Sequence, residues 1–223
     1  MGSTKQNILK SAITLFNQKG LVNVRLQQIA DDTGISVGNL AYHYYSKKAI
    51  VRAINGELAE ELKLLLSIDQ DFPSLIDFDN HLGRYFHLLN QYSFYFLDLL
   101  EMERAYPKIH SKRVEYVEKM IAQIYDWLLL NVNKGVLKPE KVENHYKHIA
   151  ESIWMIITFW LTQRQVRGKE ETGEGHFKEF IWSQLIPLFT ESGWMEYEVL
   201  ILPQAKFYSD IPDSLDLRKL TKN

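Results

Sequence analysis

Residues 36–48, SVGNLAYHYYSKK, gather two hydroxyls, an amide, an imidazole, three phenols and two ammonium groups within a single short stretch. Lysine and histidine can meet phosphate oxygens, asparagine can read the edge of a base, and serine can cap a helix. Together they form the equipment for handling a polyanion. A second set, His145, His148 and Glu151, recurs at every third residue and could place three ligands on one helix face for a metal. None of the seven histidines has a glutamate three residues before it, so the Glu-x-x-His pairs of a di-iron bundle are missing. The chain also lacks a nucleophile elbow, a phosphate-binding glycine loop and a zinc-protease pair. The histidine set therefore reads as solvated surface, with a helical-bundle metal-dependent enzyme as the alternative. No catalytic residue, metal or cofactor is expected.

Charge is distributed to match. Residues 1–50 carry Lys5, Lys10, Lys19, Arg25, Lys47 and Lys48 against Asp31 and Asp32, a balance of 6 − 2 = +4. The whole chain has 26 basic and 28 acidic residues, so the remainder holds 20 against 26, or −6. A basic head on an acidic body implies that only the head meets a polyanion. There is no cysteine, which excludes disulfides and thiolate metal sites and suits a reducing cytoplasm. The amino terminus lacks the apolar core of a signal peptide. The longest apolar stretch, Ile153 to Leu161, falls far short of the roughly 20 residues a membrane-spanning helix needs. The expectation is a soluble, cytoplasmic protein.

The elements that must position these side chains are helices. Ile8, Ala12, Leu15 and Phe16 recur at helical spacing and Lys19-Gly20 supplies a stop, which predicts a helix over 4–19. A short second helix carries Leu26, Ile29 and Ala30. Gly34 stands where the chain must reverse, and Ser36 can cap a third helix beginning near Val37. A fourth, over 46–68, runs through Ile50, Ile54, Leu58, Leu62 and Leu65. Two helices joined by a tight turn, with Ala30 kept small and Ile35 and Leu40 turned inward, describe a helix-turn-helix. The fold class is all-α: a three-helix head over 1–50, a larger helical body over 51–192, and an extension over 193–223 that packs on the body.

The stretch ILKSAITLFNQKGLVNVRLQQIADDTGISVGNLAYHYYSKKAIVRAI resembles the amino-terminal domain of TetR-family transcriptional regulators. The resemblance lies in Leu15-Phe16, Gly20, Ile29-Ala30, Gly34, Ser36, Gly38, Leu40, Tyr42 to Tyr44 and Ser46-Lys47. It implies a DNA-binding regulator whose third helix enters the major groove. Val37, Gly38 and Asn39 would face base edges, and His43 and Lys47 would hold phosphates. Ser36, Gln27, Tyr44 and Lys48 complete the expected DNA-binding set with Arg25, while Leu40 and Tyr42 are expected in the core. Ala41 stands where the family usually has a phosphate-contacting tyrosine, Val24-Arg25 replaces a hydroxyl pair, and Lys48 replaces a frequent acidic residue.

Beyond residue 50, Pro73, Pro107, Gly135 and Pro139 punctuate apolar segments that predict helices near 74–91, 94–105, 109–133, 140–167 and 176–191. Ser93 to about Trp160 resembles one group of TetR carboxy-terminal domains. That resemblance implies a homodimer built from the last two long helices, with Ile153, Ile157, Trp160, Phe177, Ile181, Trp182, Leu185, Leu188 and Phe189 at the contact. It also implies a pocket for a small apolar or aromatic effector. Expected walls are Phe86, Leu89, Phe96, Leu99, Leu100, Trp127, Trp154 and Thr158, with His87, Asn90 and Glu103 as polar orienters. The partners expected are a double-stranded DNA operator, that effector and a second copy of the chain, with no membrane. In the extension, Trp194, Val199 to Leu202 and Phe207 are too apolar for a free tail.

Overall fold

The computed structural model describes residues 3–66, 74–169 and 173–204. Among these the chain is helical and without a strand, and one isolated antiparallel bridge pairs Leu137 with Phe189. No helix among the described residues is long and apolar enough to cross a membrane. The chain divides into two compact units, Met1–Leu65 with Leu88–Arg113, and Leu66–His87 with Val114–Asn223.

In the first unit, helix α1 (Thr4–Lys19) opens with a reciprocal cap. Ser3 Oγ accepts from the Gln6 N–H at 3.4 Å and Gln6 Oε1 accepts from the Ser3 N–H at 3.0 Å. It buries Ile8, Leu9, Ala12, Leu15 and Phe16 along one face and stops at Gly20, whose N–H donates to Phe16 O. Helix α2 (Leu26–Thr33) buries only Ile29 and Ala30. Gly34 then turns the chain with φ 73° and ψ 30°, a left-handed conformation that costs other residues far more. The Ile35 N–H closes the turn on Ala30 O at 3.0 Å. Helix α3 (Val37–His43) is capped by Ser36 Oγ, which accepts from the Asn39 N–H at 3.1 Å. Helix α4 (Lys47–Leu66) supplies Ile50, Val51, Ile54 and Leu58 to the same core.

Residues 88–113 join this unit through the end of α5 (Leu75–Gln91), then α6 (Ser93–Leu97), α7 (Leu99–Ala105) and the start of α8 (Pro107–Asn133). Asn17 holds the break between α5 and α6. Its amide donates to Gln91 O at 2.9 Å and its Oδ1 accepts from the Phe94 N–H at 3.0 Å. Tyr92 Oη donates to Glu61 at 2.6 Å, and the Phe16 and Phe94 rings meet at 5.2 Å. The single helix expected over 94–105 is two, because the chain bends at Asp98, with φ −105° and ψ 30°.

The second unit packs α5 up to His87 and α8 from Val114 with α9 (His145–Val166), α10 (Glu174–Leu185) and α11 (Glu191–Leu200). Its interior is aromatic. Phe78 stacks on Trp127 at 4.0 Å, Trp182 meets Phe78 edge-on at 5.6 Å, and Trp160 meets Phe177 at 5.3 Å. A buried ionic latch ties α5 to α10: Lys178 Nζ lies 2.8 Å from Asp79 and 2.7 Å from Glu174, and Trp182 Nε1 donates to Asp79 at 2.9 Å. Gly83 makes room for it, since a Cβ there would stand 2.6 Å from Glu174 Oε1.

Three boundaries depart from expectation. Helix α9 begins at His145 rather than near 140, after Asn144 takes a positive φ of 63°. Helix α10 ends at Leu185 and passes into a 3-10 turn over Ile186–Leu188, because Pro187 has no N–H to continue the α ladder. The extension begins with a true helix, α11, whose Tyr197 and Ile201 are buried. Gly193 on α11 packs against Val136 O so closely that a Cβ would sit 2.1 Å away. Trp194 and Val199, expected inside, are exposed, and Phe207 lies outside the described residues.

Candidate nucleic-acid interface

Helix α3 is held by one anchor. Leu40 is fully buried, while Ser36, Gly38, Asn39, Ala41 and Tyr42 are exposed and Val37 and His43 partly so. A helical residue two positions on is rotated by about 200°, so anchoring Leu40 inward turns Tyr42 outward. Tyr42 is therefore a surface residue and not the core residue expected, and its ring lies edge-on to His43 at 5.3 Å. Tyr45 is exposed beside it. Gly38 needs no special backbone here, since an added Cβ would meet nothing nearer than Ser36 Oγ at 3.8 Å. Its bare backbone instead lets another surface approach α3 closely.

The flanks of α3 are polar. Arg25 and Gln27 are exposed at the start of α2. Arg25 brings no side-chain cap, and the reciprocal bond at this end is the Arg25 N–H donating to Gln28 Oε1 at 2.8 Å. Gln27 donates to Asp31 at 2.7 Å. Tyr44 ends α3 half-buried; burial and the nearby Glu57 carboxylate push its phenol above the usual value. Lys48 is exposed, with its ammonium 5.8 Å from the centre of the Tyr106 ring. Lys47 differs from its neighbour: its Nζ donates to Leu21 O at 2.9 Å, Val22 O at 3.2 Å and Val24 O at 2.9 Å. Burial lowers its pKa.

The residues expected at the dimer contact stand elsewhere. Ile153, Ile157, Trp160, Phe177, Ile181, Trp182, Leu185 and Phe189 are all buried within the single chain, and Leu188 is partly so. The eight buried ones are core, because a side chain already enclosed by its own chain has no surface left for a second copy. The outward apolar residues on the same two helices are Met155, Phe159 and the terminal Val166 on α9 and Phe180 on α10.

The expected pocket residues are divided between the two units. Phe96 and Leu99 are buried in the first unit, whereas Trp127 and Thr158 are buried in the second. His87 is exposed, 3.1 Å from Glu174, and Asn90 and Leu100 are also exposed. Phe86 and Trp154 are half-buried, and the Glu103 side chain lies outside the described residues. Sequence reasoning missed His81 and Tyr85, both buried on α5 with rings 4.8 Å apart. Their spacing from Phe78, at i+3 and i+7, is the signal that places all three on one helix face. Desolvation, with Arg84 adding to it, lowers the His81 pKa to about 4, so its imidazole is neutral. Tyr85 Oη and Trp127 Nε1 are buried without a hydrogen-bond partner. Among the described residues no group of three His, Asp or Glu side chains is placed to hold a metal, so His145, His148 and Glu151 do not converge on one ion.

Known proteins match this arrangement over most of the chain. A family model described as "Bacterial regulatory proteins, tetR family" matches residues 8–54, and one described as "Bacterial transcriptional repressor" matches residues 57–194. The biofilm operon icaADBC HTH-type negative transcriptional regulator IcaR of Staphylococcus aureus (strain Newman) is 25% identical over 189 residues, 81% of this chain and 96% of its own. The probable HTH-type transcriptional regulator YttP of Bacillus subtilis (strain 168) is 33% identical over 58 residues, 26% of this chain and 28% of its own. A TetR-family transcriptional regulator from Marinobacter aquaeolei VT8 superposes with a TM-score of 0.76 at 25% identity, covering 93% of this chain and 99% of that one. A gamma-butyrolactone receptor described as ArpA-like shares the fold, with a TM-score of 0.66 at 15% identity over 92% of this chain and 97% of that one.

Proposed function

Because the chain belongs to the TetR family of bacterial transcriptional regulators and so binds DNA, we propose that it is a repressor working as a homodimer on a palindromic operator, released by a small molecule. The observation that carries the reading is α3, a helix with one buried residue and an outward face of Ser36, Val37, Gly38, Asn39, Tyr42 and His43. Asn39 is its polar base reader, Val37 and the bare backbone of Gly38 allow close approach to a thymine methyl, and Tyr42, His43, Arg25 and Lys48 meet the phosphate backbone. Repression is supported by the likeness to IcaR, a negative regulator by name.

Two such helices must stand about 34 Å apart to read successive half-sites on one face of DNA, which requires two copies of the chain. Met155, Phe159 and Phe180 are the surface we assign to that pairing, since leaving large apolar side chains in water is unfavourable. The aromatic interior of the second unit suits an uncharged effector of apolar or aromatic character. Tyr85 Oη and Trp127 Nε1 are donors that such a molecule could satisfy with an acceptor oxygen. An effector preferring the conformer that fits the operator less well would shift the population away from DNA, and DNA would weaken the effector to the same degree. The reading includes no catalytic step and places the protein in the cytoplasm with its operator.

The test is selection of bound duplexes from random DNA. A palindromic consensus bound by two chains is expected. Failure to retain any duplex at low ionic strength would overturn the reading.

A further inference from the structure

Lys47 has an unusual position for a cation. It is the first residue of α4, where the helix's own dipole opposes a positive charge, and Ser46 Oγ already caps that end by accepting the Ala49 N–H at 3.2 Å. Its three N–H groups converge instead on Leu21 O, Val22 O and Val24 O, in the loop between α1 and α2. Those carbonyls lie past the end of one helix and before the next, so no helical ladder can use them. The loop is pinned elsewhere too: Asn23 donates to Lys19 O at 2.8 Å, and Val24 is buried in the head's core. Arg25 and α2 follow at once.

We infer that Lys47 is a positioning residue, whose ammonium ties the α1–α2 loop to the start of α4 and so sets where Arg25 and α2 meet DNA, rather than a residue that neutralises a phosphate. It rests on the reading of α2 and α3 as the DNA-facing surface. An ammonium offers three donors, and all three are spent; turning to a phosphate would break three charge-assisted bonds and strand three carbonyls. Arginine cannot replace it, because a flat guanidinium fork does not converge on three carbonyls of one tight loop. Lys48, one residue on and exposed, remains the phosphate partner.

The experiment measures affinity for a selected duplex across a salt series, with wild type, Lys47→Met, Lys47→Arg and Lys48→Ala. Wild-type binding that weakens with salt establishes the DNA-facing reading separately; its absence sinks that reading and this inference with it. Given such binding, Lys47→Met lowers affinity by about tenfold, equivalent to about 1.4 kcal/mol, at every salt concentration. The slope against salt stays that of wild type, preference at the positions nearest α2 loosens, and Lys47→Arg gives no rescue. Lys48→Ala reduces the slope by about 0.9, as loss of one phosphate contact does. A slope reduced by that amount in Lys47→Met, or a lowered thermal midpoint with unchanged affinity of the folded molecules, overturns the inference. Reductive methylation of wild type decides the matter even if the variants fail to fold. Lys47 should label slowly with and without duplex; ready labelling that only DNA suppresses overturns the assignment.

Discussion

Leu40 and Tyr42 lie two residues apart on α3 and face opposite ways, the first 0% and the second 85% exposed. The two positions therefore separate folding from recognition within one seven-residue helix. Leu40→Ala should cost about 2–5 kcal/mol of stability, the usual loss for a fully buried leucine. Tyr42→Ala should leave the denaturation midpoint within about 0.5 kcal/mol of wild type while weakening DNA binding. Urea unfolding and a binding titration on the same preparations check both halves, and equal destabilisation by the two changes would show the helix assignment to be wrong.

Met155, Phe159 and Phe180 are exposed beside the core that Trp160 and Phe177 fill, the Phe180 ring also meeting Trp160 at 5.7 Å. Placing a charge on that outward surface should split the proposed dimer and spare the fold. Phe159→Glu is expected to sediment as a monomer with an unchanged circular dichroism spectrum. Trp160→Ala should instead lose about 3–5 kcal/mol of stability, since it empties a buried aromatic site. A Phe159→Glu chain that remains dimeric would move the interface elsewhere.

Asp79 and Lys178 are buried and Glu174 is half-buried beside them, a set in which each charge depends on the others. Lys178→Ala removes the ammonium that Asp79 and Glu174 share, and removing one partner of a buried pair typically costs about 3–5 kcal/mol. Gly83→Ala should push the Glu174 carboxylate away from Lys178, because its Cβ would stand 2.6 Å from Glu174 Oε1; the loss should be smaller, since that oxygen is the far end of a flexible side chain. Denaturant midpoints of the two variants test the latch. Neutral outcomes for both would mean that it contributes nothing to stability.

His81 gives the fold an acid-sensitive point. Burial holds its pKa at about 4 in the folded chain, below the ordinary value of 6.5, so the unfolded chain binds more protons between those values. Stability is therefore full above about pH 6.5 and is lost as the pH falls toward 4, by about 3 kcal/mol in all. His81→Leu should flatten this stretch of the stability profile. Chemical denaturation at half-unit steps from pH 7 to pH 4 provides the check, and a variant profile that parallels wild type would assign the acid loss to other groups.

The head could be read from the chain alone because its signals are local. Helical spacing in α1, the reversal at Gly34 and the cap at Ser36 each involve residues within one or two turns of one another, and the helices formed where those signals stand. The all-α class and the family follow from the same short-range regularities. Faces were another matter. Helices α9 and α10 are apolar on more than one side, so spacing could not rank Ile153 and Trp160 against Met155 and Phe159; only the packing of the second unit, such as Trp160 against Phe177, put the first pair inside. The direction of Lys47 was equally hidden, since its three acceptors lie 23 to 26 residues earlier and converge only once α1, α2 and α4 have closed on a shared core. Short-range order sets which segments coil; which side of each coil meets water depends on contacts between residues far apart in the chain.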